Sequence, residues 1–434
     1  MKKFSIGLDL GTSSVKAVLF SKEDGVIAKE SADFEYAPSY LSDGSEYLGI
    51  DMEAFYGNIC AVLKKLGEKL PENSKLCGLA MASASGNTVI CDKDGKALVD
   101  GYSWLNRSML EEINVLFGDD FGADVREIVG WPLAPSFPLG HLSHLRLHAP
   151  EILDSCAVVC MATEYVLHRL TGRWGIDVST ATPFYLADQK KRQWNEDYLS
   201  KLGIPKEKLP VLMNCGDLLG ELCESGASDS GLPLGTKVFL GSFDHPTAAR
   251  ACNVEKQGDL LISCGTSWVC FFPMTNRSEV IKNQLLADPF LTPSGPWGAM
   301  SSLARASERI KEIVDRYISA EDNKFLLLDQ YAAAASPGAD GLFFDPMGEV
   351  PDLSNYSKQN IARALMEGIA NALKIHMGDL IQVERITMCG GPSVSPMWRA
   401  VLSETFGVPV DVTYGPHSGA VGAAMYPLQA SINS

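Results

Sequence analysis

The chain reads as an α/β protein of two domains. Three observations predict this. At 434 residues it is too long for one ordinary core. Apolar strand-like runs alternate with segments of helical period. The tripeptide Gly-Thr-Ser occurs once in each half, at Gly11-Thr12-Ser13 and Gly265-Thr266-Ser267, each time between two apolar strands.

Residues 4–36 contain three consecutive strands, turning at Gly11-Thr12-Ser13-Ser14 and Lys22-Glu23-Asp24-Gly25. Phe55 to Leu70 has helical periodicity. Lys75 to Ala82 is a short buried strand, and Thr88 to Lys96 a strand and turn. Glu164 to Leu170 is helical and stops at Thr171-Gly172; Asp197 to Leu202 is helical and stops at Gly203. The stretch Leu218 to Gly235, rich in Gly, Ser and Asp, reads as the end of one domain, and Val238 to Ser242 as a strand opening the next. That second domain is expected to hold helices near Ser302–Ser319 and Asn360–Leu380, a strand Arg385–Cys389 and a last helix of small residues, Gly419–Met425.

Composition narrows the function. Hydrophobic residues make up 46% and charged residues 21%, as in ordinary globular proteins. No apolar run is long enough to span a bilayer. A cleaved signal peptide would remove the first motif, so none is expected. The 11 cysteines are scattered through apolar stretches without zinc-ribbon spacing and read as reduced, buried thiols of a cytoplasmic protein. A net charge of −16 argues against nucleic-acid and membrane partners.

Four segments could carry chemistry. In Asp9-x-Gly11-Thr12-x-x-x-Lys16 the glycine lets backbone amides converge on an anion, Thr12 and Ser13 add hydroxyls, and Lys16 adds a charge. Asp9 would face a metal-bound water, since a carboxylate against a polyphosphate needs a cation between them. The segment is not a P-loop, because a strand follows it; a plain hairpin reads equally well. Gly265-Thr266-Ser267 offers the same turn, and alone reads as a generic one. Two such turns could hold one polyphosphate from two sides, with the nucleotide between the domains. Asp244, at a strand end before Pro246, is either a helix N-cap or a carboxylate that accepts a proton from an attacking hydroxyl. Gly390-Gly391, before the helix around Trp398–Phe406, is either a common strand-to-helix turn or a close approach to a purine or ribose. His141, His144 and His148 share one helical face, with Glu151 the nearby carboxylate at the same spacing; a partly buried helix face is favoured over a metal site.

These segments, in this order, resemble the FGGY carbohydrate kinases of the actin/hexokinase/Hsp70 ATPase superfamily. So do the stretches between them: His148-Ala149-Pro150-Glu151-Ile152, Asp177-Val178-Ser179-Thr180-Ala181, Ser336-Pro337-Gly338-Ala339-Asp340-Gly341-Leu342 and Ala364-Leu365-Met366-Glu367-Gly368-Ile369-Ala370. The resemblance implies two ribonuclease-H-like domains with mixed sheets around a cleft. Residues 1–240 would form the N-terminal sugar-binding domain and residues 241–434 the C-terminal nucleotide-binding domain. It also implies ATP and Mg2+ as cofactors and a small sugar or polyol as acceptor, and it leaves a homodimer open. Asp9 would hold the metal. Gly11, Thr12, Ser13 and Lys16 would form the first phosphate motif and Gly265, Thr266 and Ser267 the second. Gly390, Gly391 and Ser395 would lie at the nucleotide, and Asp244 would be the general base.

The sugar side departs from the family. Xylulokinase-like members carry Gln-Met-His-Gly where this chain has Ala84-Ser85-Gly86-Asn87, and Trp-x-Asp-x-Arg becomes Trp104-Leu105-Asn106-Arg107-Ser108. Ser85, Asn87, Trp104, Asn106 and His245 are the expected acceptor residues by position. The chain is shorter than most members, with the loss between Phe344 and Tyr356. Other readings are a non-catalytic sugar or nucleotide sensor, which would need a DNA-binding appendage or a basic face, and an actin-like ATPase acting on a protein partner.

Overall fold

In a computed structural model the described residues are 1–291 and 295–432. They form two compact units, one of Met1–Thr247, Ile281–Pro293 and Gly419–Ser434, the other of Ala248–Val280 and Ser294–Ser418.

The first unit is built on a mixed sheet. Its strands are β1 (Lys3–Leu10), β2 (Ser14–Ser21), β3 (Gly25–Asp33), β4 (Lys75–Ser83), β5 (Leu218–Glu221) and β6 (Lys237–Phe239), in the order β5-β6-β4-β1-β2-β3. β1, β4 and β6 run parallel, while β2 is antiparallel to β1. Side chains alternate across a strand, so β1 presents two different faces. Phe4, Ile6, Leu8 and Leu10 enter a core with Phe55, Ile59, Leu63 and Leu66 of helix Met52–Gly67. Asp51 caps that helix by accepting from the Glu53 and Ala54 amides. Ser5, Gly7 and Asp9 face the other way, towards helix Ser418–Ala430. Ser5 Oγ donates to the Ala424 carbonyl at 2.6 Å, and a Cβ on Gly7 would lie 1.9 Å from the Ala420 carbonyl oxygen. The small residues of that helix permit this approach.

In the second unit, strands β7 (Asp259–Cys264), β8 (Trp268–Met274), β9 (Trp297–Leu303), β10 (Arg385–Gly390) and β11 (Val410–Asp411) run in the order β9-β8-β7-β10-β11. β7 has an antiparallel neighbour in β8 and a parallel one in β10. β1 has the same two kinds of neighbour in β2 and β4, so the duplicated tripeptide marks a duplicated sheet core. Helices Lys358–Met377 and Pro396–Phe406 also belong to this unit.

Most expected elements appear within a few residues of their predicted bounds, with three differences. Val238 does not open the second unit; it pairs with Leu79 and belongs to the first sheet. The small-residue helix near Gly419 also lies in the first unit, where β1 leaves room for it. Ser302 is in β9, paired with Val269, and the helix begins only at Ala306. The break is made by Arg305 in a left-handed conformation (φ 57°), with no Gly or Pro to announce it.

Candidate functional site

The ends of the parallel strands β1, β4 and β6 bring the first unit's chemistry to one sheet edge, where ligands bind in open α/β sheets. Asp9 lies near the end of β1 and pairs across β2 with Lys16. Ser83 ends β4. Asp244 follows β6 and opens helix Asp244–Ala251. Ser83 and Phe243 form a parallel bridge, and a Cβ on Gly241 would stand 1.9 Å from the Met81 carbonyl oxygen, so the segment before Asp244 is held against β4. Ser179 Oγ accepts from the Phe243 amide at 3.2 Å and donates to Asp288 at 2.6 Å. Tyr426 donates to Ser242 Oγ at 3.0 Å. Asp244 is therefore aimed by its surroundings.

The Asp9 carboxylate senses Asp244. Burial, then the charge of Asp244, push the Asp9 carboxyl up to about 6, against the pull of Lys16 and His245. Burial pushes Asp244 up to about 7, although the His245 amide donates to it at 2.7 Å. Burial also holds the His245 imidazole down at about 4, so it is neutral at pH 7; its Nε2 stands 3.7 Å from Asp244. Sequence reasoning did not single out Gly419, yet a Cβ there would meet an Asp9 carboxylate oxygen at 2.5 Å. The signal was the small-residue run Ser418-Gly419-Ala420.

The two Gly-Thr-Ser turns differ in detail. In the first, Leu10 pairs with Val15, leaving Gly11 to Ser14 as the loop, and the Gly11 amide donates to the Ser14 carbonyl at 2.9 Å. In the second, Cys264 pairs with Trp268, leaving only Gly265 to Ser267, and the Gly265 amide donates to the Ser267 carbonyl at 3.1 Å. Neither glycine has a positive φ, so the conformational argument made for Gly11 does not hold. A Cβ at Gly11 would instead crowd the Ser14 carbonyl at 3.1 Å. Tyr36 donates to the Thr12 carbonyl at 2.5 Å and the Phe34 amide to that of Ser13 at 2.8 Å. Ser267 Oγ accepts from the Arg305 amide at 3.1 Å, the Thr266 carbonyl accepts from the Ser307 amide at 3.2 Å, and Gly265 and Thr266 remain exposed.

Gly390 does need its glycine. Its φ is 90°, and a Cβ would lie 2.1 Å from the Cys264 carbonyl oxygen. Gly391 faces open space. Ser395 caps helix Pro396–Phe406 by accepting from the Trp398 amide at 3.0 Å, and donates to Asp329 at 2.8 Å.

The residues expected on the sugar side divide. Ser85 is buried and donates to Ser83 Oγ at 3.0 Å. Asn87 accepts from the Ala162 amide at 2.6 Å, at the start of helix Ala162–Thr171. Trp104 packs near Phe137, with ring centroids 6.2 Å apart. Asn106 spends its amide on backbone. It accepts from the Leu48 amide at 2.7 Å and donates to the Leu48 and Ser103 carbonyls at 2.9 and 2.7 Å. His245 sits beside Asp244, its ring edge-on to Phe243.

Family models complete the picture. Residues 4–250 match the N-terminal domain, and residues 347–430 the C-terminal domain, of the FGGY family of carbohydrate kinases. The chain belongs to this family. It is therefore a sugar kinase, a transferase that uses ATP. Among curated FGGY kinases it is 26% identical to the gluconokinase of Bacillus subtilis, over 99% of this chain and 88% of that one. It is 26% identical to the autoinducer-2 kinase of Photorhabdus laumondii, over 98% and 85%. The xylulose kinase of Bacillus subtilis is 24% identical, over 98% and 87%. Among solved structures, gluconate kinase from Lactobacillus acidophilus superposes with a TM-score of 0.86 at 19% identity, covering 100% of this chain and 90% of that one. Xylulose kinase from Rhodospirillum rubrum gives 0.83 at 23% identity, covering 98% and 89%. These likenesses show the two-domain actin-like ATPase fold of FGGY kinases. Among the described residues no helix is long and apolar enough to cross a membrane.

Proposed function

We propose that this kinase transfers the terminal phosphoryl group of ATP to a hydroxyl of a small ketose or polyol, with Asp244 as general base. The observation that carries this reading is that Asp9, near the end of β1, feels the charge of Asp244, which opens the helix after β6, with Asp244 itself pushed up to about 7 by burial. A carboxylate with that proton affinity is matched to accepting a hydroxyl proton near neutral pH. The N–H of His245 orients one carboxylate oxygen and leaves the other for the acceptor.

Asp9 suits a Mg2+ site. Its carboxylate makes no hydrogen bond among the described residues, it lies against a glycine, and a second carboxylate raises its pKa, a repulsion that a cation relieves. Mg2+ held there through water would neutralise phosphate charge. Lys16, Thr12, Ser13 and the Gly11 turn bind phosphate in the first unit. Gly265, Thr266 and Ser267 do so in the second, where Gly390 and Gly391 receive the adenosine. Ser395, as a helix cap, supports that surface. Positioning and fixed charge supply most of the acceleration.

On the acceptor side, Ser85, Trp104 and His245 contact the sugar. Asn87 offers its amide N–H groups, since its oxygen is engaged, and Asn106 braces the pocket wall. The test is ADP release against pentuloses, hexuloses, polyols, gluconate and glycerol, with Asp244→Asn run beside the wild type. Stimulation by one acceptor that disappears in the variant supports the reading. ADP release that no acceptor stimulates, or a variant as active as the wild type, overturns it.

A further inference from the structure

The first unit holds a second set of unpartnered polar atoms, away from the strand ends. His141, His144 and His148 do share helix Pro138–His148. His141 turns aside, with Nδ1 at 2.9 Å from Thr88 Oγ1 and its ring against Tyr102. The rings of His144 and His148 lie 4.5 Å apart. The carboxylate beside them is not Glu151, which accepts from Ser42 at 3.1 Å. It is Glu112, from helix Leu110–Phe117. One ligand atom from each of Glu112, His144 and His148 lies within 4.8 Å of the other two.

The remaining contacts of these residues leave each with one free ligand atom. Glu112 accepts from Arg107 at 2.6 Å, and its other oxygen, Oε2, is buried without a partner. His144 Nδ1 faces the Tyr102 hydroxyl at 3.3 Å, and its Nε2 is buried without a partner. His148 Nδ1 is 2.8 Å from Asp43 Oδ2 and 3.1 Å from Ser45 Oγ. An imidazole that donates from Nδ1 to a carboxylate carries its lone pair on Nε2. Glu112 is 6% exposed and His144 0%, so their free atoms are costly to leave unmatched.

We propose that Glu112, His144 and His148 form a binding site for a zinc-class divalent cation, with Asp43 holding His148 from behind. Two imidazoles and one carboxylate are a borderline donor set that favours Zn2+ over the all-oxygen preference of Mg2+. A cavity of about 460 Å³, lined by Ser45, Leu48, Asn106, Arg107 and His144, adjoins the site and gives water access to a remaining coordination position. The cation would tie helix Leu110–Phe117 to helix Pro138–His148. Its residues and those at the strand ends are different sets, so this proposal stands or falls apart from the phosphoryl-transfer reading.

The experiment strips the full chain with a chelator, dialyses it into metal-free buffer and titrates it with Zn2+, measuring retained metal and affinity. The wild type is expected to retain one equivalent. His148→Ala, at a half-exposed position that the fold tolerates, is expected to lose it. Asp43→Asn is expected to bind about 10–100-fold more weakly. Asp9→Asn is expected to retain the equivalent, separating this site from the phosphate site. Co2+ in place of Zn2+ is expected to show no thiolate charge-transfer band, a needed check in a chain with 11 cysteines. No retained metal in the wild type, equal affinity in His148→Ala, loss in Asp9→Asn, or a thiolate band would each overturn the proposal.

Discussion

Replacing Asp244 by Asn should change the pH dependence of both stability and activity, in opposite senses. The folded Asp244 carboxyl titrates at about 7, against an ordinary value of 3.8. Its folded pKa is raised, so the native state holds a proton that the unfolded chain has released. That stabilisation is fully present below pH 3.8 and is lost as pH rises through 7. Integrating between pH 5 and 8, the wild type should lose about 2–3 kcal/mol from this group. For a unit of this size that is a fall in melting temperature of about 5–10 °C. Asp9, raised to about 6 partly by Asp244, and buried Glu164, raised to about 8, act in the same direction. The informative quantity is thus the difference between wild type and variant. Asp244→Asn should flatten the curve by the amount above, and by more if Asp9 relaxes. Activity runs the other way, because the base must be ionised: kcat/KM should rise about tenfold from pH 6 to a plateau above 7. The variant should lose about 10²–10⁴-fold of it. Differential scanning fluorimetry of the ligand-free protein at half-unit pH steps, beside ADP-release kinetics, measures both. Parallel stability curves for the two proteins would refute the burial argument, whatever the kinetics show.

Gly419→Ala would place a methyl group against Asp9 and turn its carboxylate; we expect a fold that melts normally and a kcat/KM lowered about 10²-fold. Asn106→Ala removes three hydrogen bonds to backbone, so urea denaturation should show a loss of about 2–3 kcal/mol. A changed KM with unchanged stability would instead make Asn106 a substrate ligand. Ser395→Ala should cost about 1 kcal/mol as a lost helix cap, with the KM for ATP unchanged in initial-rate kinetics.

The apolar run before Gly11 made the first strand legible, and the repeated Gly-Thr-Ser turn signalled the repeated sheet core. The glycine stops at Gly172 and Gly203 were equally plain, and both adopt the left-handed conformation that such stops require. Other features depend on contacts far apart in sequence. Nothing local in Val238 says which sheet it joins, because its partner, Leu79, is remote. The helix start after Arg305 carries no turn residue. Three histidines at helical spacing suggested a shared face, but their carboxylate comes from a different helix, and His141 is drawn away by Thr88. Asn106 and Ser395 have polar side chains suited to ligands, and only the structure reveals the backbone groups that engage them.

Gly7 and Ser5 lie against a helix whose residues follow them by more than four hundred positions, the Ser5–Ala424 bond spanning 419. At a synthesis rate of about 5–20 residues per second, β1 leaves the ribosome about 20–80 s before its covering helix exists. Throughout that interval the face of the sheet around Gly7 is open to other strands and to chaperones. The first unit can finish folding only once residues 418–430 have been made, so their removal should trap a collapsed, aggregation-prone chain.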